Sequence, residues 1–490
     1  MKTEQVDTIV LGAGPAGLAA GYTLAKAGLR PVVVEKGKFA GGLMRSIKRG
    51  DFIVDIGRKE LYNRLAKVDR LWAEVLGDDY RQYPHRGGIL FDGNIIEISP
   101  AFRGFRRGMP WSMFLKCGGD LVWSRVRSSG KPSNLEQYFY QKRGRALTRV
   151  ISQGFQEKLS GEPWSTIPVA EDVKDERDAS FFATMKGLMA RTFSRAEVNT
   201  FKGVWKHPAK GTGEICDKLE QGIVENGGRM LFEANVLEVN STQGKVESVV
   251  VEAGGETTQF KTSNLVSSVP AQFLLKYLLK ERFDSLDDSL KAPPSSKKTI
   301  VLVYLFLNED PHFPHAWLNV TCPKTRIGRI TNYTGVEGDM VPKGKSCLCC
   351  EFYCGPGDEL LALDNKQLVQ LALSECAKYN LVDPTKLIDE LVLRLPGADA
   401  SQNRHNWMNN MSNGLLDQLA PFRNVYYVSR TDLDIATLAG MEAAEAIISG
   451  ERSTFDRHID PKELEIRSVR KSFEFRNPAE TRPQFQKATT

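Results

Sequence analysis

Val6-Asp7-Thr8-Ile9-Val10-Leu11-Gly12-Ala13-Gly14-Pro15-Ala16-Gly17 stands near the start of the chain and decides its fold. This apolar stretch passes through a glycine turn into an alanine-rich segment with helical character. A second apolar stretch, Pro31–Val34, follows and ends at the acid Glu35. Strand, glycine turn, helix and strand in this order predict a dinucleotide-binding βαβ unit.

Each glycine of the turn has a separate mechanical reason. Gly12 permits a tight turn, Gly14 lets the backbone approach a pyrophosphate, and Gly17 lets the helix pack closely on the strand. The first turn of the helix, with Pro15 and Ala16, offers free N–H groups and a positive dipole end to the phosphates. Glu35 follows Gly17 by 18 residues, where a carboxylate can accept hydrogen bonds from ribose hydroxyls.

The residues after Glu35 favour one nucleotide over others. Lys36-Gly37-Lys38-Phe39-Ala40-Gly41-Gly42-Leu43-Met44-Arg45-Ser46 resembles the second glycine motif of flavin-binding proteins of the amine oxidase superfamily. The resemblance implies that the glycine pair and Arg45 touch the flavin dinucleotide. A planar guanidinium suits this role because it can hold two phosphate oxygens at once. An ordinary solvated loop is the alternative, and FAD is the cofactor that the motif favours.

Composition is that of a globular enzyme. The chain has 490 residues, 26% of them charged and 41% hydrophobic, which is enough for two or more domains with cores of their own. The net charge of +6 is compatible with an anionic substrate and does not indicate a nucleic-acid partner. No apolar run approaches the ~20 residues that span a bilayer, and no signal peptide is recognised. We therefore expect a cytoplasmic protein.

Four of the eight cysteines are crowded into Cys347–Cys354. A metal site is one interpretation of this spacing. The segment also has the length and aromatic content of a buried strand, in which Cys347 and Cys349 would face one way and Cys350 the other. Four zinc ligands need a turn in order to converge, and the run contains none, so we favour small buried hydrophobic residues.

The remaining segments predict an α/β protein. A hairpin with Asp92-Gly93 at its turn is expected near Gly88–Ile98, and residues 110 to about 194 are mostly helical in pattern. Strands are expected at Arg229–Asn240, Lys245–Glu252, Thr257–Lys261, Asn264–Pro270 and Asn424–Val428, with a closing helix near Ala439–Ile448 and a polar linker at Asp284–Lys298.

The order of these segments resembles the UDP-galactopyranose mutase and protoporphyrinogen oxidase branch of the flavin amine oxidase superfamily. The blocks that carry the resemblance are Phe52–Gly57, Leu135–Arg145, His207–Gly213, Cys350–Asp358 and Val428–Arg430 with Leu438–Ala444. The family implies a Rossmann-like FAD-binding domain of the GR2 type with an inserted mixed α+β substrate domain. The expected boundaries are 1–75, 205–270 and 415–452 for the FAD-binding segments, 76–204 and 271–414 for the substrate domain, and 453–490 for a tail.

The same resemblance implies further contacts with the cofactor. In the family, the backbone of a residue like Val236 meets the adenine, and a helix like that of Gly440 points its N-terminus at the pyrimidine edge of the flavin, where its dipole stabilises the anionic reduced ring. The predicted cofactor-binding residues are Gly12, Gly14, Pro15, Ala16, Gly17, Glu35, Lys36, Gly41, Gly42, Leu43, Arg45, Gly57, Arg58, Val236, Ser268, Arg430, Thr437 and Leu438.

Two departures from the family pattern concern the flavin ring. Many relatives place Gly-Gly-His-Arg over the flavin, where this chain has Gly57-Arg58-Lys59-Glu60. A Gly-Arg pair near the C-terminus of relatives is Ser429-Arg430 here. Both positions lie where a mutase must admit the anomeric carbon of a sugar, so the departures weaken a mutase assignment and leave FAD binding intact.

The flavin carries the difficult step of such chemistry, so no protein nucleophile is required. Arg58 and Lys59 are the predicted catalytic residues, as an anion clamp or as proton-transfer partners, and a solvent-facing basic turn is the alternative. His207 and His405 are candidate bases or structural residues. The remaining histidines show no spacing of metal ligands, and no metal site is predicted: His85, His312, His315 and His458.

A basic cluster bears on the substrate. Arg103, Arg106 and Arg107 could hold a phosphate or carboxylate, form a solvated basic face, or form a weak membrane-surface patch flanked by Trp111, Phe114 and Trp123. These three interpretations stay open at this point.

The sequence predicts an FAD-dependent oxidoreductase, either a dehydrogenase or an oxidase. Its substrate is expected to be a small, anionic metabolite, such as a nucleotide sugar or a sugar-derived intermediate. The alternatives are a UDP-galactopyranose mutase-like non-redox sugar mutase, a protoporphyrinogen or amine oxidase-type enzyme, and a flavin-binding scaffold without turnover. Only one nucleotide-binding glycine fingerprint is recognised, so we expect oxygen or another acceptor, rather than a nicotinamide, to reoxidise the flavin.

Overall fold

The computed structural model of the protein describes residues 1–59, 61, 65–83, 86–98, 108–127, 130–169, 206–291, 298–336, 338–397, 414, 417–430 and 432–452. Several sequence predictions lie outside these residues. They concern residues 170–204 of the expected substrate domain, the expected tail 453–490, and Glu60, His85, Arg103, Arg106, Arg107, His405 and His458.

The described residues form eighteen strands and twelve α-helices. The strands are β1 Lys2–Leu11, β2 Pro31–Val34, β3 Ser46–Arg49, β4 Phe52–Asp55, β5 Tyr80–Gln82, β6 Gly87–Phe91, β7 Asn94–Glu97, β8 Lys206–Pro208, β9 Arg229–Leu231, β10 Asn235–Thr242, β11 Lys245–Ala253, β12 Glu256–Ser267, β13 Thr299–Leu307, β14 Trp317–Val320, β15 Arg329–Asn332, β16 Ser346–Cys354, β17 Leu387–Pro396 and β18 Val425–Tyr427. The α-helices are α1 Pro15–Lys26, α2 Ala66–Leu76, α3 Trp111–Arg127, α4 Leu135–Arg143, α5 Arg145–Thr148, α6 Gly154–Ser160, α7 Gly213–Glu225, α8 Ala271–Leu279, α9 Glu281–Asp284, α10 Asp288–Lys291, α11 Asn365–Lys378 and α12 Leu433–Ser449.

The first sheet is built from distant parts of the chain. Its order is β10-β11-β12-β1-β2-β9, with β18 paired to β12. The strands β12, β1, β2 and β9 run parallel, and β18 also runs parallel to β12. Val10 and Val33 pack with α1, α7 and α12 on one face, whereas Ile9 and Val32 pack with α8 on the other. Both faces of the parallel strands are therefore buried, which explains their continuous apolar sequence.

Two strand predictions within this sheet were wrong in their boundaries. The segment Arg229–Asn240 forms two strands, because Glu233 takes a left-handed φ of 49° between them. As a result, β9 pairs with β2 while β10 pairs with β11. The segment predicted at Thr257–Lys261 and the part Asn264–Ser267 of the next predicted segment belong to one strand, β12, which pairs with β11 in its first half and with β1 along most of its length.

The second sheet has the order β17-β13-β16-β15-β14-β6-β7. Its cysteine-rich strand β16 is the buried strand that the sequence predicts. Cys347 and Cys349 pack on the face toward β4, and Cys350 and Cys354 pack on the opposite face with α11. Within the described ranges, no group of His, Cys, Asp or Glu side chains is arranged to hold a metal ion.

Other local predictions are confirmed where the structure describes them. Asp92-Gly93 turns the β6–β7 hairpin, and the chain from Trp111 to Ser160 is mainly helical. The segment expected as a polar linker begins at the last residue of α9 and contains the short helix α10 before residues 292–297, which lie outside the described part. In the portion of the chain that the structure covers, no helix is both long and apolar enough to cross a bilayer.

Candidate active site

The first glycine turn has the geometry that a diphosphate requires. Gly12 takes a φ of +91°, and its N–H donates to the carbonyl of Val34 at 2.8 Å. A Cβ on Gly17 would lie 1.8 Å from the carbonyl oxygen of Gly12, so only glycine allows α1 to approach the turn this closely. A Cβ on Gly14 would meet no described atom within 4 Å, so the backbone there is open to a ligand. The residues present therefore fit a bound dinucleotide at the N-terminus of α1.

The second glycine motif lies against the first. The N–H of Gly41 donates to the carbonyl of Ala13 at 2.7 Å, and a Cβ on Gly42 would stand 3.7 Å from the Cα of Gly14. Leu43 is exposed, and the guanidinium of Arg45 lies 5.4 Å from the ring centre of Phe39. Two motifs that are separate in sequence thus border one open cradle.

Glu35 organises the acidic edge of this cradle. Its two carboxylate oxygens accept hydrogen bonds from the N–H groups of Ala13 at 2.8 Å and Gly37 at 2.7 Å. Each carboxylate oxygen keeps a second lone pair, which leaves acceptor capacity for ribose hydroxyls. Lys36, next to it, is exposed.

Three other predicted cofactor residues have clear local roles. The hydroxyl of Ser268 donates to the carbonyl of Leu11 at 2.9 Å and supports the first glycine turn from below. The carbonyl of Val236 accepts a hydrogen bond from the Tyr277 hydroxyl at 2.9 Å. Arg430 donates to the carbonyl of Ser429 at 2.7 Å, and burial lowers the pKa of its guanidinium to about 10.

The closing helix begins earlier than the sequence suggested. It starts at Leu433, so Gly440 lies in its interior, where a Cβ would stand 2.0 Å from the carbonyl of Ala16 in α1. Thr437 occupies the second turn and donates its hydroxyl to the carbonyl of Leu433 at 2.7 Å, and Leu438 follows it. The positive end of the helix dipole therefore belongs to the residues around Leu433 rather than to those around Gly440.

A frame of tyrosines holds the turn after β4. Gly57 takes a φ of +67°, and its N–H donates to the hydroxyl of Tyr304 at 3.0 Å. The hydroxyls of Tyr304 and Tyr333 donate to the carbonyl of Asp55 at 2.8 and 2.7 Å. Burial raises the pKa of both phenols well above the usual value, so they remain protonated donors. The turn is thereby fixed by hydrogen bonds from β13 and from the end of β15.

Arg58 and Lys59 follow this turn. The N–H of Arg58 donates to the buried carboxylate of Glu351 at 3.1 Å, and its guanidinium lies 3.9 Å from the ring centre of Trp317. Glu351 also pairs with Arg329 at 3.2 Å. Burial lowers the pKa of Lys59, with Asp55 and Glu351 opposing the shift. Arg58 therefore stacks on an aromatic wall instead of reproducing the flat glycine of the family pattern.

These residues border a cleft of about 600 Å³ that opens to solvent. Its described lining is Asp55, Arg58, Lys59, Leu61, Tyr83, Lys206, His207, Ala316, Trp317, Thr331, Tyr333, Val336 and Met340. Asp55 is the one carboxylate in that lining, and it is buried and already accepts hydrogen bonds from Ser46 Oγ at 2.5 Å and Thr212 N at 2.9 Å. Cationic side chains therefore dominate the charge that the cleft offers to a ligand.

His207 joins the cleft from β8. Its Nδ1 lies 2.8 Å from the carbonyl oxygen of Pro208, and because that oxygen can only accept, Nδ1 carries the proton. Its Nε2 lies 3.8 Å from Oδ2 of Asp55. A proton taken up at Nε2 would thus be stabilised by a nearby carboxylate.

The sequence missed most of the aromatic wall. It identified Gly57, Arg58, Lys59 and His207, which the structure brings to one place, but not Tyr304, Trp317 or Tyr333. These three come from strands that the sequence did not identify, and no local motif distinguishes them.

Comparison with known families agrees with this geometry. The model of the flavin containing amine oxidoreductase family matches residues 15–412. The chain belongs to this family. The family named by the sequence resemblance is therefore confirmed, and FAD is its cofactor. The description of this family agrees with the enzyme class that the sequence predicts.

Curated relatives are more distant. Prolycopene isomerase 2 of an Oncidium hybrid cultivar is 24% identical over 341 residues, which cover 62% of this chain and 53% of the relative. Prolycopene isomerase of Daucus carota is 23% identical over 374 residues, covering 71% of this chain and 55% of the relative. The chain thus spans about half the length of these curated relatives.

Solved structures share the fold. UDP-galactopyranose mutase in its reduced form matches with a TM-score of 0.65 at 16% identity, covering 94% of this chain and 98% of that chain. Putrescine oxidase bound to putrescine matches with a TM-score of 0.54 at 13% identity, covering 91% of this chain and 100% of that chain. The α/β fold of FAD-binding amine oxidoreductases, as expected from the sequence, is therefore confirmed.

Proposed function

We propose that the protein oxidises a small anionic metabolite, with nucleotide sugars and sugar-derived intermediates as the first candidates. The observation that carries this proposal is the charge of the cleft. Arg58 and Lys59 line it, as does Lys206, which pairs with Asp69 at 3.2 Å, whereas the carboxylate of Asp55 is buried and occupied by hydrogen bonds. A phosphate or carboxylate in this cleft would meet cations on several sides.

The cofactor would bind at the glycine cradle, which the first and second glycine motifs form. The diphosphate would lie against Gly12, Gly14 and the first turn of α1, with the ribose at Glu35 and Arg45 beside the second glycine motif. The other predicted cofactor residues, and the domain boundaries 1–75, 205–270 and 415–452, belong to the same proposal. When bound, FAD supplies the hydride acceptor for the oxidation.

The residues of the cleft would bind the substrate, accept a proton and exclude water. Arg58 and Lys59 would hold the acidic group of the substrate, and Trp317 keeps the Arg58 guanidinium in place by stacking. Oxidation of an alcohol or amine also releases a proton. His207 would accept it at Nε2, where Asp55 stabilises the resulting imidazolium. The apolar lining residues Leu61, Val336 and Met340 would exclude water from the cleft.

An anaerobic screen tests the proposal. Acidic metabolites, UDP-sugars first, and their neutral counterparts are added to the FAD-loaded protein without oxygen, and the visible absorbance of the flavin is recorded. We expect bleaching by acidic compounds alone. Lys59→Met should raise the concentration for half-maximal bleaching about tenfold, whereas Lys210→Met should not, because exposed Lys210 pairs with Asp79 outside the cleft. Bleaching by neutral compounds alone, or by NADH or NADPH without substrate, would reject the proposal.

A redox-neutral isomerisation is the second candidate. It is favoured by the curated relatives, which are prolycopene isomerases, and by the fold shared with UDP-galactopyranose mutase. The apolar lining residues, among them Leu61, Val336 and Met340, would suit a less polar substrate. Mass analysis of the product separates the two candidates, because an isomer keeps the mass of the substrate while oxidation removes two hydrogens.

A further inference from the structure

One face of helix α3, Trp111–Arg127, packs against the rest of the protein. Cys117 is buried in a cluster with Ala146 and Val150, and Met113 packs against the same cluster. The carboxylate of Asp120 accepts a hydrogen bond from the N–H of Ala146 at 2.6 Å. This inner face fixes the position of the helix on α4 and α5.

The outer face of α3 is apolar and exposed. Trp111 is 61% exposed, Leu115 66%, Trp123 58% and Val126 76%. With Val122, they account for five of the thirteen large apolar side chains that are exposed among the described residues. Positions 111, 115, 122 and 126 recur at helical spacing and share one stripe, with Trp123 beside it. Single exposed apolar side chains are common on protein surfaces, whereas several on one helix indicate an interaction surface.

The charged residues of α3 indicate which kind of partner this face binds. The sequence of the helix contains Lys116, Arg125 and Arg127 and a single acid, Asp120, whose carboxylate is turned inward to Ala146. Lys116 is exposed. An apolar stripe with tryptophans and basic residues is typical of a helix that lies in a membrane interface, whereas lysine is depleted at protein–protein interfaces.

We propose that α3 docks the protein on an anionic membrane surface. Trp111, Leu115, Val122, Trp123 and Val126 would enter the boundary between head groups and acyl chains, and Lys116 would contact acidic head groups. The helix has 17 residues and lies on the membrane rather than spanning it. The proposal is independent of the reaction in the cleft, because α3 contributes no described lining residue to it.

Vesicle sedimentation tests the proposal with the FAD-loaded full chain. Vesicles of phosphatidylcholine with 30% phosphatidylserine (about one anionic lipid in three) are compared with pure phosphatidylcholine. We expect binding to the anionic vesicles that weakens with salt. Leu115→Glu with Val126→Glu should reduce the bound fraction at least tenfold. The control pair Val224→Glu with Ile388→Glu, at exposed apolar positions on other elements, should bind like the wild type.

Folding of the variants is checked by their melting temperature and FAD content. A second measurement uses the unmodified protein: lipids with brominated chains should quench the fluorescence of the exposed Trp111 and Trp123. Absence of vesicle binding, undiminished binding of the α3 variant, or equal loss in the control pair would overturn the proposal. A concentration-dependent dimer that the α3 substitutions abolish, without vesicle binding, would also overturn it and assign the stripe to protein contact.

Discussion

The backbone N–H of Arg58 donates to the carboxylate of Glu351 at 3.1 Å, across 293 residues of sequence. Glu351 lies on β16 of the second sheet, where it also pairs with Arg329 at 3.2 Å and accepts a hydrogen bond from Tyr353 at 2.8 Å. Arg58 belongs to the turn that follows β4. One buried carboxylate thus connects the turn at the cleft to the sheet that forms its wall.

Replacing Glu351 should therefore cost both stability and function. Glu351→Ala leaves Arg329 partly buried without its anion and removes the acceptor of the Arg58 N–H. We expect the free energy of unfolding to fall by about 3 kcal/mol. Denaturant unfolding measures this loss. Glu351→Gln keeps an acceptor oxygen and should lose less.

Glu359→Gln is the matched control for Glu351. Glu359 pairs with Arg326 but is 82% exposed, so its loss should change stability by about 0.5 kcal/mol or less. Equal stability of the Glu351→Ala variant and the wild type would show that the carboxylate does not hold the turn.

The pH dependence of substrate binding should reflect Lys59. Burial lowers its pKa, so its ammonium loses its proton at a lower pH than an ordinary lysine, and attraction for an anion is lost as the pH rises through that value. We expect KM for an acidic substrate to rise on the alkaline side. Lys59→Arg, whose guanidinium stays charged, should remove this rise. Steady-state kinetics over a pH series measure the effect, and identical profiles for both proteins would contradict the role of Lys59.

Lys158 on α6 should be important for stability rather than catalysis. Its ammonium donates to the carbonyls of Val320, Cys322 and Ile327 at 3.1, 2.9 and 2.9 Å. Lys158→Met would remove this buried donor from the three carbonyls, of which that of Cys322 still accepts a hydrogen bond from Thr325 Oγ1, and we expect a loss of about 3 kcal/mol. Exposed Lys366→Met serves as the control and should stay within about 0.5 kcal/mol of the wild type. A thermal or denaturant midpoint unchanged in Lys158→Met would refute the expectation.

The nucleotide-binding unit could be predicted from sequence because its determinants are local. The turn at Gly12, the helix from Pro15 and the strand ending before Glu35 all lie within one stretch, and the structure has them as expected. The buried cysteine strand was also predictable, since alternation alone assigns Cys347 and Cys350 to opposite faces.

The wall of the cleft could not be predicted in this way. Tyr304, Trp317 and Tyr333 reach the Gly57 turn only because the second sheet brings distant strands together. The residues next to them in the sequence do not indicate how these strands pair. The interruption between β9 and β10 at Glu233 could not be predicted for another reason. A left-handed φ at a non-glycine residue has no strong sequence signal.

The open cradle at Gly14 is the feature on which FAD binding depends most. Titration of the flavin-free protein with FAD, followed by visible absorbance, measures occupancy in the wild type and in Gly14→Val. Since a Cβ at Gly14 meets no described atom within 4 Å, valine should leave the fold and its melting temperature intact while filling the space of the diphosphate. We predict saturable FAD binding by the wild type and at least tenfold weaker binding by a folded Gly14→Val protein. Equal affinity of the two proteins for FAD would contradict the placement of the cofactor.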